Sequence, residues 1–147
     1  MLPSSERKIC FMASEAEAAQ TSKVEMIARY GQVSAKQADV IVALGGDGFM
    51  LATLYATQKL GKPVYGMHRG TVGFLMNEFL PDGLYSRLAD AENALINPLR
   101  MRAVCVDGSK VVALAINEVS LYRAGPQAAK LRISIDGRVR MEELVCD

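Results

Sequence analysis

Short continuous apolar runs alternate with stretches of helical spacing through the first hundred positions of the chain. An apolar run within residues 8–14 is followed at once by the capping-box pattern Ser14 to Glu17 and a helical stretch that ends at Gly31. Val40 to Leu44 is apolar at every position, as in a strand buried on both faces of a parallel sheet. The segment from Phe49 to Lys59 then predicts a helix stopped by Gly61 and Pro63. Val64 to Met67 supplies a third strand, and Asp82 to Glu92 predicts an amphipathic helix with Leu84, Leu88 and Ala91 on one face. This β-α-β-α-β-α order predicts a Rossmann-like parallel sheet, an α/β N-terminal domain over residues 1–98.

After Pro98 the period changes from helical to twofold. Leu99, Met101, Ala103 and Cys105 alternate with Arg100, Arg102, Val104 and Val106 before the turn pair Asp107-Gly108. A long strand is predicted from Val111 to Arg123, and Leu131, Ile133 and Ile135 alternate up to a second turn, Asp136-Gly137, with Val139 and Met141 beyond it. Residues 99–147 therefore predict the beginning of an antiparallel, all-β C-terminal domain. Hairpins without a covering layer bury little surface, so the sequence is expected to stop inside that domain.

Composition narrows the function classes. Half of the 147 residues are hydrophobic and 22% are charged, which suits a folded protein. Seventeen basic and sixteen acidic residues leave a net charge of +1, so no global field favours nucleic acid or an anionic membrane. The start of the chain lacks a signal-peptide core, and no run approaches a membrane span. The three cysteines, Cys10, Cys105 and Cys146, share no zinc or redox spacing and read as small apolar residues of a reducing cytoplasm.

The chemistry concentrates at Gly45-Gly46-Asp47-Gly48, between a buried strand and a helix, where parallel-sheet proteins place ligands outside the carboxyl ends of their strands. Glycines let the backbone approach a phosphate, and the N–H groups of the following helix start are anion donors. The pattern lacks the Lys-Ser/Thr of a Walker loop and the spacing of a dinucleotide fingerprint. A carboxylate beside phosphates repels them unless it holds a cation or accepts a proton from an attacking hydroxyl, as phosphoryl transfer to an alcohol requires. A plain Asp-Gly turn is the competing interpretation, as at Asp82-Gly83, Asp107-Gly108 and Asp136-Gly137. The last two join alternating strands, whereas Asp47-Gly48 follows two more glycines and a fully apolar strand and precedes a helix.

Asn117-Glu118 interrupts the apolar run from Val111 to Ile116, and the pair offers a donor and an acceptor suited to vicinal hydroxyls such as those of a ribose. An edge strand with a wet face accounts for the same pattern. Gly66, Gly70 and Gly73 mark a loop that shapes a pocket wall, in which Phe74 packs on a ring or belongs to the core. His68-Arg69 offers contacts to phosphate, against a structural role for a lone histidine. Met50, Met67, Met76 and Met101 read as core filler.

In order and spacing, Gly45-Gly46-Asp47-Gly48, Gly73-Phe74-Leu75 and Asn117-Glu118 resemble the NAD kinase family across nearly the whole chain. Diacylglycerol kinases and 6-phosphofructokinases have similar glycine turns, and the Asn-Glu pair selects NAD kinase. The resemblance implies transfer of the ATP γ-phosphoryl group to the 2′-hydroxyl of the adenosine ribose of NAD, with a divalent cation, Mg2+ by expectation. Inorganic polyphosphate is an alternative donor. Asp47 would be the general base, and Gly45, Gly46 and Gly48 would line the nucleotide site with Phe74, Asn117, Glu118 and Asp147. No protein metal ligand is assigned. A homo-oligomer is expected, with NAD and ATP as substrates and neither nucleic acid nor membrane as partner. Phe49 stands where the family usually has Thr, and His68 where Asn is common. The family's later Thr-Ala-Tyr segment has no counterpart, so a fragment that binds nucleotide without turnover is one alternative. A lipid or sugar kinase sharing only the glycine turn is the other.

Overall fold

Strand β1, Ile9–Ala13, and strand β3, Val64–His68, flank β2, Val40–Gly45, in a three-stranded parallel sheet of order β1-β2-β3. The computed structural model describes residues 7–70, 73–123 and 125–146. They form two compact units, Met1–Asn97 and Pro98–Asp147.

Every residue of β2 is buried, which explains its unbroken apolar run: the strand is paired on both edges and covered on both faces. In register, Ile9 pairs with Val40 and Ala13 with Leu44, while Ile41 pairs with Val64 and Gly45 with His68. Successive side chains point to opposite faces. Val40, Val42 and Leu44 join Ile9, Phe11 and Met67 in one core layer; Ile41 joins Cys10 and Ala38 in the other, where Leu60 and Val64 pack. Full burial of a side chain such as Ile41 contributes roughly 1.5–3 kcal/mol.

Helix α1, Glu17–Tyr30, lays Ala19, Ser22 and Met26 on the first layer at the three- and four-residue spacing of a helix face. Helix α3, Leu84–Asp90, adds Leu84 and Leu88 to that layer. Tyr30 joins the two helices: its hydroxyl donates to the Pro81 carbonyl at 2.7 Å and accepts from the Leu84 N–H at 3.3 Å. Helix α2, Asp47–Thr57, is extended by a short 3₁₀ turn, Gln58–Leu60. Met50 of α2 lies beneath Gly66 of β3, where a β-carbon would come within 3.2 Å of its sulfur.

Several element boundaries differ from those read in the sequence. The capping box at Ser14 does not form, because the Ser14 N–H is bonded to the Leu44 carbonyl at 3.0 Å; α1 starts at Glu17 with Ala16 as an uncapped N-cap. Helix α3 stops at Asp90, and Ala91 turns to an extended conformation instead of joining the apolar face. In the second unit the strand predicted from Val111 to Arg123 is shorter: β5 is Lys110–Ala115, and the chain bends at Ile116 and Asn117.

Among its described residues, the second unit has two antiparallel hairpins. Strand β4, Leu99–Val104, pairs with β5, and β6, Ala129–Ile135, pairs with β7, Arg138–Cys146. Asp136 and Gly137 both have positive φ, at 50° and 75°, as a tight turn of hairpin hand requires. The Asp107 carboxylate accepts the Ser109 N–H at 2.9 Å in the other turn. Among the described residues, no helix is long and apolar enough to cross a membrane.

Candidate active site

The first unit gathers its functional groups at the carboxyl end of the sheet. Strand β2 ends at Gly45, Gly46 is the extended N-cap residue with φ −116° and ψ −176°, and Asp47 opens α2. The helix thus begins two residues before the predicted start, and Asp47, Gly48 and Phe49 form its first turn. A β-carbon at Gly45 would sit 2.9 Å from that of Phe49, so the helix can leave the strand this tightly only over a glycine. Around Gly46 and Gly48 no described atom comes within 4 Å of where a β-carbon would be, which leaves both backbones open to a ligand. N–H groups in the first turn of a helix have no partner within it and, with the helix dipole, favour an anion.

The Asp47 side chain turns away from its own helix to the loop after β3. Its Oδ2 accepts the Phe74 N–H at 2.8 Å and its Oδ1 accepts the Leu75 N–H at 3.1 Å. Gly73 lies directly against the carboxylate, and a β-carbon there would overlap both oxygens and their carbon. Two backbone donors and one missing side chain therefore fix the carboxylate. Each oxygen has further lone-pair capacity and so can still accept a proton or a hydrogen bond.

Asn77 closes the loop that carries Gly73. Its N–H and its side-chain amide both donate to the Gly66 carbonyl, at 2.9 and 3.0 Å, while its own carbonyl accepts the His68 N–H at 2.9 Å. No role for Asn77 is legible in the sequence beyond its place at the end of a glycine-rich segment. Phe74 is fully exposed and does not join the core, which leaves its ring free for a ligand. Met50 and Met67 are buried as core residues, and Met76 packs under Gly66. His68, at the end of β3, and Arg69 after it are half-buried.

Gly45, Gly46, Asp47, Gly48 and Phe74 thus belong to one end of the first unit. Asn117 and Glu118 belong to the second unit, exposed just after β5, where the strand has ended instead of turning a polar side chain inward. Asp147 lies outside the described residues. Among the described residues, no group of three or more His, Cys, Asp or Glu side chains is placed to hold a metal ion.

Comparison with known proteins places this sequence in a family. Residues 4–94 match the family model described as the ATP-NAD kinase N-terminal domain. The chain is 63% identical over 141 residues to a protein of Cereibacter sphaeroides named NAD kinase, covering 96% of this chain and 56% of the relative. It is 56% identical over 140 residues to an NAD kinase of Hyphomonas neptunium and 52% identical over 139 residues to one of Rhizobium meliloti, covering 95% of this chain in each case and 55% and 54% of the relatives. The chain spans a little over half the length of the curated relatives it matches. With a matched family model over most of its length and the glycine turn at the end of its parallel sheet, the chain belongs to the ATP-NAD kinase family.

Proposed function

We propose that this chain supplies the phosphoryl-transfer end of an NAD kinase, which phosphorylates the 2′-hydroxyl of the adenosine ribose of NAD with ATP to give NADP. The observation that carries this reading is the Asp47 carboxylate, held by the Phe74 and Leu75 N–H groups at the start of α2. Asp47 is the general base. It takes the 2′-hydroxyl proton as that oxygen bonds to the γ-phosphorus, the bond from the γ-phosphorus to the bridging oxygen breaks, and ADP leaves. The open backbones of Gly46 and Gly48 and the N–H groups of the helix start receive phosphate oxygens. Gly45 permits the tight exit of β2 that sets this geometry.

Phe74, fully exposed beside the base, supplies a ring against the bound nucleotide. Asn117, Glu118 and Asp147 are assigned to ribose and nucleotide contacts through their match to the family's motifs. A divalent cation, Mg2+ in this reading, arrives on the polyphosphate as part of the substrate and neutralises charge there. Cytoplasmic location and self-association complete the proposal. Support for self-association comes from exposed apolar side chains such as Val104 and Val145 on hairpins with open edges among the described residues. As for domain boundaries, residues 1–98 are the α/β domain and 99–147 the start of a β domain.

The test is NADP formation from NAD, ATP and magnesium by a chimera in which this chain replaces the 141 aligned residues of the Cereibacter sphaeroides relative. NADP formation is the expected result. A folded chimera that makes no NADP, beside an active relative, contradicts the proposal.

A further inference from the structure

A recess of about 400 Å³ lies at the carboxyl end of the sheet, lined by Ala18, His68, Arg69, Gly70, Glu78 and Phe79. It sits beside the glycine turn, since His68 is the register partner of Gly45 and the Arg69 N–H donates to the Gly45 carbonyl at 2.8 Å. Among the described residues, two of its polar side chains have hydrogen-bonding atoms that no protein group meets. His68 Nδ1 is buried and has no hydrogen-bond partner among the described residues. Such a nitrogen costs stability unless a ligand or water meets it. The Arg69 guanidinium is held in place by its stack over the Phe79 ring, 4.4 Å from the centroid, and by an Nε contact to the Ala18 carbonyl at 3.5 Å. No carboxylate among the described residues forms an ion pair with it, and its two terminal nitrogens have no protein acceptor there.

We infer that this recess is a phosphoanion site, with the terminal nitrogens of Arg69 as its donors and the imidazole of His68 in its wall. An immobilised guanidinium without a carboxylate partner is suited to fork onto phosphate oxygens. Glu78 also lines the recess, but its side chain is exposed, so solvent and salt screen its charge more than that of the half-buried Arg69. The site does not depend on Asp47. Its assignment to the phosphate chain of the phosphoryl donor rests on the kinase reading, because the recess adjoins the turn where the γ-phosphoryl group would react. Nucleotide and inorganic polyphosphate present the same chemistry to these donors.

His68 is the single histidine of the 147 residues, so its imidazole signals in a proton–carbon NMR spectrum need no assignment. The experiment titrates the full chain with inorganic tripolyphosphate, ATP and adenosine at fixed ionic strength. Tripolyphosphate and ATP are expected to move the imidazole signal saturably, and adenosine to leave it in place. Equal affinities identify the phosphate chain as what is bound, while a clear preference for ATP identifies a nucleotide donor. Arg69→Gln, with its spectrum confirming the fold, is expected to weaken either titration by about tenfold or more. An imidazole signal unmoved at millimolar tripolyphosphate and ATP overturns the inference in the unmodified chain; so does an Arg69→Gln chain of full affinity. A silent His68 in a chain whose chimera makes NADP removes the recess and keeps the kinase, and the opposite pair of results does the reverse.

Discussion

The α-carbon of Gly73 lies against the carboxylate of Asp47, 26 positions away in sequence, with no room for a β-carbon between them. The next two N–H groups, of Phe74 and Leu75, bind the two oxygens of that carboxylate. A loop without regular structure thus orients the proposed base, and it is itself tied down by Asn77 on Gly66 and His68.

Gly73→Ala tests that packing. The added methyl group must push the loop or the carboxylate aside, and a displacement of about 1 Å at a reacting group costs on the order of 10²-fold in rate. In the active chimera, kcat is expected to fall by about that factor while the KM for NAD changes little, because the loss is in positioning and not in uniform binding. An unchanged kcat shows that the contact does not orient the base.

Tyr30→Phe tests the link between α1 and α3. The hydroxyl bonds both the Pro81 carbonyl and the Leu84 N–H, at the start of a helix whose N-cap, Gly83, has no side chain to offer. Its removal leaves two backbone groups without that partner and is expected to cost about 1–2 kcal/mol. Urea denaturation should show a lower midpoint at an unchanged slope. An unchanged midpoint contradicts the role given to Tyr30.

Cys10 gives a prediction in alkali. Burial pushes its thiol above the ordinary value of 9.0, against smaller opposing effects of Lys23 and of the Gln32 hydrogen bond. The unfolded chain then loses this proton before the folded one does. The contribution of Cys10 is fully present below the unfolded value, declines once the pH exceeds it, and is lost as the pH rises through the folded value. Stability of the native chain should therefore fall more steeply above about pH 9 than that of Cys10→Ala, as followed by urea midpoints across that range. Parallel curves contradict this.

The α/β architecture was legible because β2 is buried on both faces and so carries an unbroken apolar run, while Ala19, Ser22 and Met26 carry the helical period. The boundaries were less so. Ser14 looked like a helix cap because its sequence pattern is right, yet its N–H is already committed to Leu44 in the neighbouring strand. Val111 to Arg123 looked like one strand because apolar residues resume after Asn117-Glu118, but two adjacent polar residues are better solvated by ending the strand than by continuing it. The glycine turn and its aspartate stood out by position. The contact between Asp47 and Gly73 did not, since nothing local to either residue encodes the other.

The most direct measurement is the kcat of NADP formation in the chimera carrying Asp47→Asn, compared with the same chimera carrying Asp47. An amide of nearly the same shape cannot take the proton of the 2′-hydroxyl, and it presents an N–H to one of the two backbone donors in the loop. A fall in kcat of roughly 10²- to 10⁴-fold is expected, the usual share of a general base. A kcat equal to that of the Asp47 chimera would contradict it, and the carboxylate would then be a tie between loop and helix with no part in the chemistry.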